Sequence, residues 1–332
     1  MKNVFITGAT GGLGINATLW ALGAGLTVRV TGRNAQVLGH LAEKGAKAYA
    51  KDLVTATPEE LTQAMRGCDT VWHCAALAAP WGPAADFQNI NVLATQKLFE
   101  AGRAAGIERF VNISTPSIYF DYRHRRDIPE TLEVAKYVNA YAGSKAEAEK
   151  RLNTLAQAPG APHLTHLRPR AIFGPFDQVL FPRLMHLVKQ RKGVLPLPDD
   201  GQALVDLTYV DNVVHAMALA SVCPSVSGQA YNVTNGEPVV LKDALTDLFA
   251  RLGKPVQVKA LPYPVLDMAA TVAEGVSKLT KKEPVFTRYS IGALAFDMTL
   301  DITKIKTELG YRPQVSMSDA LEQTAVWLKK HG

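Results

Sequence analysis

Short apolar runs alternate with amphipathic stretches through the first half of the chain. Runs rich in β-branched and apolar residues predict strands at residues 4–7, 27–31, 46–50, 70–73, 109–113 and 163–167. Apolar positions at helical spacing predict helices at residues 15–24, 58–65, 91–105 and 141–156. Strands that alternate with helices of this length are typical of an α/β fold with a parallel, doubly wound sheet and helices on both faces.

The pattern loosens after Pro169, where prolines become frequent and no second alternating series follows. Apolar spacing predicts helices at residues 171–193, 241–252, 267–279 and 316–331. We expect residues 1–170, with returning segments near 203–220, to form the sheet domain. Residues 171–332 are expected to form a smaller, partly interleaved α/β cap over the substrate. The segment 261–282 is either a mobile lid or the outer helix of this cap.

The 332 residues are 47% hydrophobic and 20% charged, which is ordinary for a globular protein. The formal net charge is +6, but the basic residues are scattered, and their densest run, 123–126, lies among Asp121, Asp127 and Glu130. We therefore expect no nucleic-acid partner. No apolar stretch reaches the roughly 18 residues of a membrane span, and the first thirty residues lack a signal-peptide pattern. This predicts a cytoplasmic enzyme without stable membrane insertion.

The three cysteines, Cys68, Cys74 and Cys223, are odd in number and lack C-x-x-C spacing. This argues against a disulfide framework and against a zinc site. His73 precedes Cys74 at the end of an apolar strand, a position typical of core and turn, so no metal is expected.

Three glycines, Gly8, Gly11 and Gly14, follow the first predicted strand and open the first predicted helix. Glycines allow a tight turn and a close approach of the backbone to a pyrophosphate, and the start of a helix favours an anion. A glycine pattern alone is a weak signal. Its position between a strand and a helix is the context that a dinucleotide site requires, and a bound dinucleotide would supply a hydride.

Tyr141 and Lys145 lie four residues apart on a predicted helix and so share one face. An ammonium beside a phenol favours the phenolate, which predicts a lowered pKa for Tyr141. A phenol with such a pKa can donate and accept a proton near neutral pH. Together with the glycine loop, the pair indicates an oxidoreductase.

The glycine spacing is G-x-x-G-x-x-G, and the motifs that accompany it resemble the extended branch of the short-chain dehydrogenase/reductase superfamily. The matching segments, in chain order, are residues 7–14, 51–53, 71–76, Asn91-Val92, Ser114-Thr115, Tyr141-x-x-x-Lys145, 167–175 and 209–212. The resemblance covers nearly the whole chain. It implies a Rossmann-type sheet domain with a substrate cap, and a homodimer formed through the helices at 91–105 and 141–156.

The resemblance also implies the residues that contact the cofactor: Gly8, Thr10, Gly11, Gly12, Leu13, Gly14, Arg33, Asp52, Leu53, Ala75, Ala76, Asn91, Tyr141, Lys145, Pro169 and Ile172. Asp52 looks like the carboxylate that meets the adenine amino group, and Asn91 looks like the family's active-site asparagine. Ala75 and Ala76 look like the backbone beside the nicotinamide-side ribose. Pro169 and Ile172 resemble the residues that lie along the nicotinamide.

The second predicted strand leads into Thr31-Gly32-Arg33-Asn34 and offers no carboxylate for the ribose 2′-hydroxyl of NAD(H). Arginine can pair with a 2′-phosphate, whose charge a carboxylate would repel. The sequence therefore favours NADP(H) over NAD(H). Alternatively, Arg33 stacks on the adenine and does not choose between the cofactors.

The resemblance implies that Tyr141 donates a proton to a carbonyl oxygen on reduction and takes it on oxidation. Lys145 would lower the pKa of this phenol and bind the nicotinamide ribose. A hydroxyl after the fifth strand would orient the substrate oxygen. Counting back from Tyr119, as in related extended members, places Thr115 in that role, with Ser114 as the alternative. Threonine supplies the same hydroxyl as serine.

Nucleotide-sugar members of the family carry an arginine for the substrate diphosphate at the position that Val205 occupies here. An aliphatic side chain cannot pair with a diphosphate, so we expect a hydrophobic small-molecule substrate. The loop 77–83 is apolar. Four apolar residues where the cap should meet the site are either pocket walls or core: Phe173, Phe176, Leu180 and Phe181.

Residues 114–120, Trp81-Gly82 and Glu283-Pro284-x-x-Thr287-Arg288-Tyr289 resemble the 2-alkyl-3-oxoalkanoate reductases within the 3β-hydroxysteroid dehydrogenase-like group. The resemblance implies hydride transfer from nicotinamide C4 and interconversion of a ketone and a secondary alcohol. A β-keto acid or a steroid-like molecule would be the substrate. Two alternatives stay open: a nucleotide-sugar epimerase or dehydratase of the same fold, and a non-catalytic NADP(H)-sensing module.

Overall fold

The computed structural model describes residues 1–178, 180–223, 227–280, 283–284 and 286–331. The strands in these residues are β1 Asn3–Thr7, β2 Thr27–Gly32, β3 Lys47–Ala50, β4 Thr70–His73, β5 Arg109–Ile113, β6 Arg125–Ile128, β7 His163–Pro169, β8 Ile172–Phe173, β9 Val194–Pro198, β10 Leu204–Val205, β11 Thr208–Tyr209, β12 Gln229–Val233, β13 Val239–Val240, β14 Gln257–Leu261 and β15 Met298–Leu300. The α-helices are α1 Gly12–Gly23, α2 Ala35–Glu43, α3 Pro58–Met65, α4 Ala84–Phe87, α5 Ala94–Ala105, α6 Ala140–Leu155, α7 Leu180–Gln190, α8 Val210–Ala220, α9 Leu241–Arg251, α10 Tyr263–Thr280, α11 Arg288–Ala295, α12 Thr303–Glu308 and α13 Met317–His331.

The central sheet has seven parallel strands in the order β12-β7-β5-β4-β1-β2-β3. This confirms the predicted doubly wound α/β fold. Strand β1 lies between β4 and β2, with Thr7 level with both His73 and Thr31. The strand order reverses at this point, and such a switch opens a crevice at the carboxyl ends of the strands where ligands bind.

Alternate residues of β1 reach the two faces of the sheet because side chains alternate along a strand. Val4 and Ile6 belong to a buried cluster that contains residues of α1 and α8. Phe5, between them, belongs to a second cluster with Leu98 of α5 and residues of α3. Burying one such side chain contributes about 1.5–3 kcal/mol. The two clusters hold the carboxyl end of β1 rigidly between two helical layers.

The cap is built mainly from the second half of the chain and has its own core of α7, α9 and α13 residues, including Leu245, Phe249 and Leu321. Its four-stranded sheet runs β13-β10-β15-β6, so one strand comes from before residue 170. The chain returns to the main sheet at α8, which packs on α1, and at β12, which pairs with β7. The cap is therefore interleaved with the sheet domain.

The predicted helix at 171–193 is wrong in its first part. Ala171 has φ 45° and Gly174 has φ 138°, neither of which a helix accommodates, and β8 lies between them. The helix begins at Leu180. The predicted helix at 91–105 is helical throughout, but its first three residues belong to a π-helical segment, 88–93, that runs directly into α5.

The segment 261–282 contains α10, an 18-residue helix; Lys281 and Lys282 lie outside the described residues. Arg288 ties this helix to α11, since its backbone amide donates to Glu274 Oε1 at 2.7 Å and its Nε donates to Asp267 Oδ1 at 2.8 Å. In the described residues no helix has both the length and the apolar character required to cross a membrane.

Candidate active site

The glycine loop turns tightly at the end of β1. Gly8 has φ 65°, and a Cβ at Gly8 would lie 2.6 Å from the amide nitrogen of Ala75. A Cβ at Gly14 would lie 2.2 Å from the carbonyl oxygen of Gly8. Both contacts are far shorter than a carbon atom tolerates, so the loop can be built only with glycine at these two positions.

Gly11 precedes α1 as its N-cap and offers no side chain to cap the helix. The first amides of α1 therefore keep their capacity to bind an anion. A Cβ at Gly12 would lie 2.7 Å from the carbonyl oxygen of Phe176, and Thr10 fills the space over Gly32 at the end of β2. Leu13 is half-buried between the cores of sheet and cap. These features fit a dinucleotide pyrophosphate.

Arg33 and Asp52 lie just beyond β2 and β3. Arg33 is exposed, and its side chain forms no hydrogen bond or ion pair with any residue that the structure describes. Asp52 accepts a hydrogen bond from the amide of Val54 at 2.8 Å, while Leu53 packs against the core around Phe5. The crevice beyond β2 and β3, where the adenine is expected, thus presents a carboxylate and a guanidinium without a partner among the described residues.

Asn91 lies in the π-helical segment and clamps the loop after β4. Its Oδ1 accepts from the amide of Leu77 at 2.7 Å, and its Nδ2 donates to the Leu77 carbonyl at 3.1 Å and to Ser144 Oγ at 3.0 Å. In the same loop the Ala75 amide donates to Thr7 Oγ1, and Ala76 is exposed. Asn91 therefore joins this loop to α6.

Lys145 is buried on α6 and donates a hydrogen bond from Nζ to the carbonyl oxygen of Ile113 at 2.7 Å. The ammonium thus reaches the end of β5. Burial lowers the pKa of Lys145 to about 8, against the opposing effect of the Glu149 carboxylate one turn away. Lys145 is the only lysine that the structure shows this deeply buried among its described residues.

Tyr141 stands one turn before Lys145. Burial raises the pKa of its phenol to about 12, and the hydroxyl of Thr115 acts in the opposite direction. The low pKa expected from the sequence is not found, because loss of solvent outweighs the effect of the Thr115 hydroxyl, and Lys145 is not among the groups that shift the pKa of Tyr141. The phenol is therefore protonated at neutral pH.

Thr115 joins Tyr141 to a chain of hydroxyl groups. Its Oγ1 accepts from the amide of Ser117 at 3.1 Å and donates to Ser117 Oγ at 3.0 Å. Ser117 Oγ in turn lies 2.6 Å from the hydroxyl of Tyr289. Ser114 instead lies beside Glu149 and helps to lower the pKa of that carboxyl. Thr115, not Ser114, therefore faces the phenol.

Glu149 and Arg168 form a buried ion pair behind Lys145. Arg168 Nε donates to Glu149 Oε1 at 2.9 Å, and a second hydrogen bond joins Nη2 to Oε2. Burial acts to raise the pKa of Glu149, but the bonds from Arg168 outweigh it and hold the pKa at about 2. Sequence reasoning missed this pair, although Glu149 continues the four-residue spacing of Tyr141 and Lys145.

The residues predicted along the nicotinamide and those predicted near the substrate occupy different places. Pro169 ends β7 and Ile172 lies between the two cores, both at the edge of the site. Phe173 and Phe181 are buried against each other in the cap core, so they are packing residues and not pocket walls. Phe176 packs on Trp327, and the side chain of Leu180 lies outside the described residues.

Val205 is buried in β10, where it pairs with Val239 and Met298. His73 is held between Thr7 Oγ1 at 2.7 Å and Thr95 Oγ1 at 2.9 Å, and burial lowers its pKa to about 3. It is a neutral core residue. The described residues contain no group of three His, Cys, Asp or Glu side chains suited to a metal ion.

The family model of the NAD dependent epimerase/dehydratase family matches residues 4–234, more than half of the chain. The chain belongs to this family. It is accordingly an NAD(P)-dependent enzyme of the extended short-chain dehydrogenase/reductase type, and the resemblance noted from the sequence is confirmed.

Several members of the family are similar along their whole length. The Uncharacterized protein YbjS of Escherichia coli (strain K12) is 43% identical over 99% of this chain and 98% of its own. The 2-alkyl-3-oxoalkanoate reductase of Shewanella oneidensis is 32% identical over 97% of this chain and 85% of its own. The solved UDP-glucuronic acid 4-epimerase of Bacillus cereus, in complex with NAD, matches with a TM-score of 0.79 at 21% identity, over 99% and 96% of the two chains. This last likeness shows the fold alone.

Proposed function

We propose that this family member interconverts a ketone and a secondary alcohol on a hydrophobic substrate, a β-keto acid or a steroid-like molecule. The observation that carries the proposal is the contact of the Thr115 hydroxyl with the Tyr141 phenol, with Lys145 one turn behind. The similarity to a 2-alkyl-3-oxoalkanoate reductase supports the substrate class.

When bound in the crevice, NAD(P)H would be the source of the hydride. Gly8, Gly11 and Gly14 would hold its pyrophosphate, and Lys145 its nicotinamide ribose. Tyr141, protonated at neutral pH, gives its proton to the carbonyl oxygen, while Thr115 orients that oxygen by a hydrogen bond. In the reverse direction the Tyr141 phenolate takes the alcohol proton, a step that becomes easier as pH rises towards the pKa of Tyr141 because more of the side chain is deprotonated.

NADP(H) is the preferred cofactor in this proposal. Arg33 carries a positive charge without a described partner at the end of β2, where the adenine-side ribose is expected. A guanidinium pairs well with a phosphate and gains less from a neutral hydroxyl.

A nucleotide-sugar epimerase is the second candidate, because the solved structures of similar fold include such enzymes. Val205 speaks against it, since a buried aliphatic residue stands where those enzymes carry the diphosphate arginine. The third alternative, a non-catalytic sensor, is disfavoured because this chain has both Tyr141 and Lys145, whereas sensors of this fold tend to lack one of the two. The homodimer and the cytoplasmic location stay predictions.

The decisive experiment compares the wild type with Tyr141→Phe in an assay of NADPH oxidation, using β-keto acids, 3-ketosteroids and UDP-sugars. We expect the wild type to reduce a β-keto acid or a ketosteroid, and the variant to lose turnover by about 10²-fold or more with cofactor binding intact. Full turnover by the variant would refute the mechanism. Conversion of a UDP-sugar without reduction of any ketone would establish the epimerase instead.

A further inference from the structure

Arg170 is held in one place by its backbone at the carboxyl end of the sheet. It follows the last residue of β7, and its amide donates to the Val233 carbonyl at 3.2 Å. Its carbonyl oxygen accepts from Thr208 Oγ1 at 2.5 Å. The residue thus lies where β7, β11 and β12 meet, on the edge of the sheet that carries the candidate site.

Among the residues that the structure describes, the guanidinium of Arg170 has no hydrogen-bond or ion-pair partner. Its Nε is shielded from solvent and has no hydrogen-bond partner, and no described carboxylate lies within the 4.0 Å of an ion pair. Arg168, two residues earlier, is fully paired with Glu149. A guanidinium nitrogen that is shielded from solvent and unpaired costs free energy, and an anionic ligand would satisfy it.

Asp206 is the acidic group that acts on Arg170, but it does not satisfy it. Asp206 is 1% exposed, and its Oδ2 accepts from the amide of Leu300 at 2.7 Å. Burial raises its pKa to about 6, although Arg170 acts to lower it. Because the Asp206 carboxylate accepts its hydrogen bond from the amide of Leu300, it does not form a bidentate pair with the guanidinium of Arg170.

Tyr289 places Arg170 on the substrate side of the site. The guanidinium and the Tyr289 phenol are close enough to influence each other electrostatically, and Tyr289 also acts on the pKa of Tyr141. The hydroxyl of Tyr289 reaches Thr115 through Ser117, at 2.6 and 3.0 Å. Tyr289 thus interacts with both groups, and its hydroxyl chain ends at Thr115, at the same carboxyl edge of the sheet where the backbone of Arg170 follows β7.

We propose that Arg170 binds a carboxylate of the substrate and thereby selects β-keto acids over neutral ketones. The inference rests on the proposed function and narrows its substrate class. A guanidinium binds a carboxylate through two parallel hydrogen bonds, and in a β-keto acid the carboxylate lies two bonds from the carbonyl carbon. Fixing the carboxylate on Arg170 turns the carbonyl oxygen towards Thr115 and Tyr141.

The test compares 3-oxodecanoate with its methyl ester, which keeps the ketone and removes the charge. For Arg170→Gln we expect kcat/KM for the acid to fall by about tenfold or more, while kcat/KM for the ester stays unchanged. Arg170→Lys, which keeps the charge but not the fork, should restore part of the loss for the acid. An equal fall for acid and ester, or no fall for the acid, would overturn the inference.

A binding measurement covers the case in which no ketone is turned over or a variant is unstable. In the presence of NADP⁺, decanoate should raise the melting temperature of the wild type more than decanamide does, and Arg170→Gln should abolish the difference. Equal shifts for decanoate and decanamide in the wild type refute the inference. Reduction of neutral ketones with no preference for the acid refutes only this inference, whereas absence of all ketone reduction refutes the proposed function.

Discussion

Glu149 binds Arg168 through two hydrogen bonds one helical turn beyond Lys145, and both side chains of this ion pair are buried. The carboxylate opposes the lowering of the Lys145 pKa by burial. The pair therefore places two compensating charges behind the face of α6 that carries Tyr141 and Lys145, where either member alone would be an uncompensated buried ion.

Removing one member of this pair should destabilise the fold. We expect Glu149→Gln to lower the free energy of unfolding by about 3–5 kcal/mol, because Arg168 is left buried without its counter-ion. The double variant Glu149→Gln with Arg168→Met should recover part of the loss. Urea unfolding of all three proteins measures this, and a single variant as stable as the wild type would contradict it.

Thr115 and Ser114 provide a matched pair of hydroxyl deletions. Thr115→Ala should lower kcat by about 10²-fold, because the hydroxyl that faces Tyr141 is lost, and Thr115→Ser should restore it. Ser114→Ala should keep its turnover, since Ser114 lies beside Glu149. Steady-state kinetics with the β-keto acid measure kcat for each variant. A large loss of kcat in Ser114→Ala and none in Thr115→Ala would show that Ser114 orients the substrate oxygen.

Arg33 should control the choice of cofactor. In Arg33→Ala the dissociation constant for NADPH should rise about tenfold, since a hydrogen-bonded charge pair with the 2′-phosphate is lost. The dissociation constant for NADH should not change. Fluorescence titration of both cofactors checks this. Equal changes for the two would show that Arg33 stacks on the adenine without selecting the cofactor.

Gly14 and Gly23 lie in the same helix and test the glycine loop against a control. A Cβ at Gly14 would strike the Gly8 carbonyl, so Gly14→Ala should lose about 1–3 kcal/mol of stability and bind the cofactor poorly. Gly23 has open space around it, and Gly23→Ala should be neutral or gain up to about 1 kcal/mol. Thermal melting with and without NADPH gives both readings, and identical behaviour of the two variants would contradict the tight turn.

Stability should fall in mild acid. Burial lowers the pKa of His166 from 6.5 to about 4 and that of His73 from 6.5 to about 3. Between these pKa values and 6.5, the unfolded chain therefore binds more protons than the folded protein. The free energy of unfolding therefore decreases as pH drops below about 6.5, by at most about 1.4 kcal/mol per pH unit for each histidine. Asp206, whose pKa is raised to about 6, opposes this trend because it binds its proton more readily when folded.

Urea unfolding between about pH 7 and pH 5 measures the slope. This slope is proportional to the number of protons that the chain takes up on unfolding. In His166→Gln that number should be smaller by up to one, because one of the two buried imidazoles is absent. Equal slopes for the variant and the wild type would show that His166 does not contribute to acid sensitivity.

Most of the main sheet could be read from the sequence because its signals are local. The apolar runs at 70–73 and 109–113 are the strands β4 and β5 as the structure has them. The glycine loop and the pair of Tyr141 and Lys145 were predicted in the same way, since spacing along one strand–turn–helix unit or one helix face fixes their geometry. The helix expected at 171–193 failed because Gly174 and the turn at Ala171 broke a pattern that apolar spacing alone did not reveal.

By itself, the sequence determined the alternation of strands and helices in the sheet domain from β3 to β7 and the shared face of Tyr141 and Lys145 on α6, because each depends on neighbours within a few residues. Only the tertiary structure decided that Tyr289 reaches Ser117 across 172 residues of chain, and that Arg170 Nε has no hydrogen-bond partner among the described residues. Such contacts depend on how distant elements pack. No periodicity along the chain encodes them, since the cap is built from segments interleaved with the sheet.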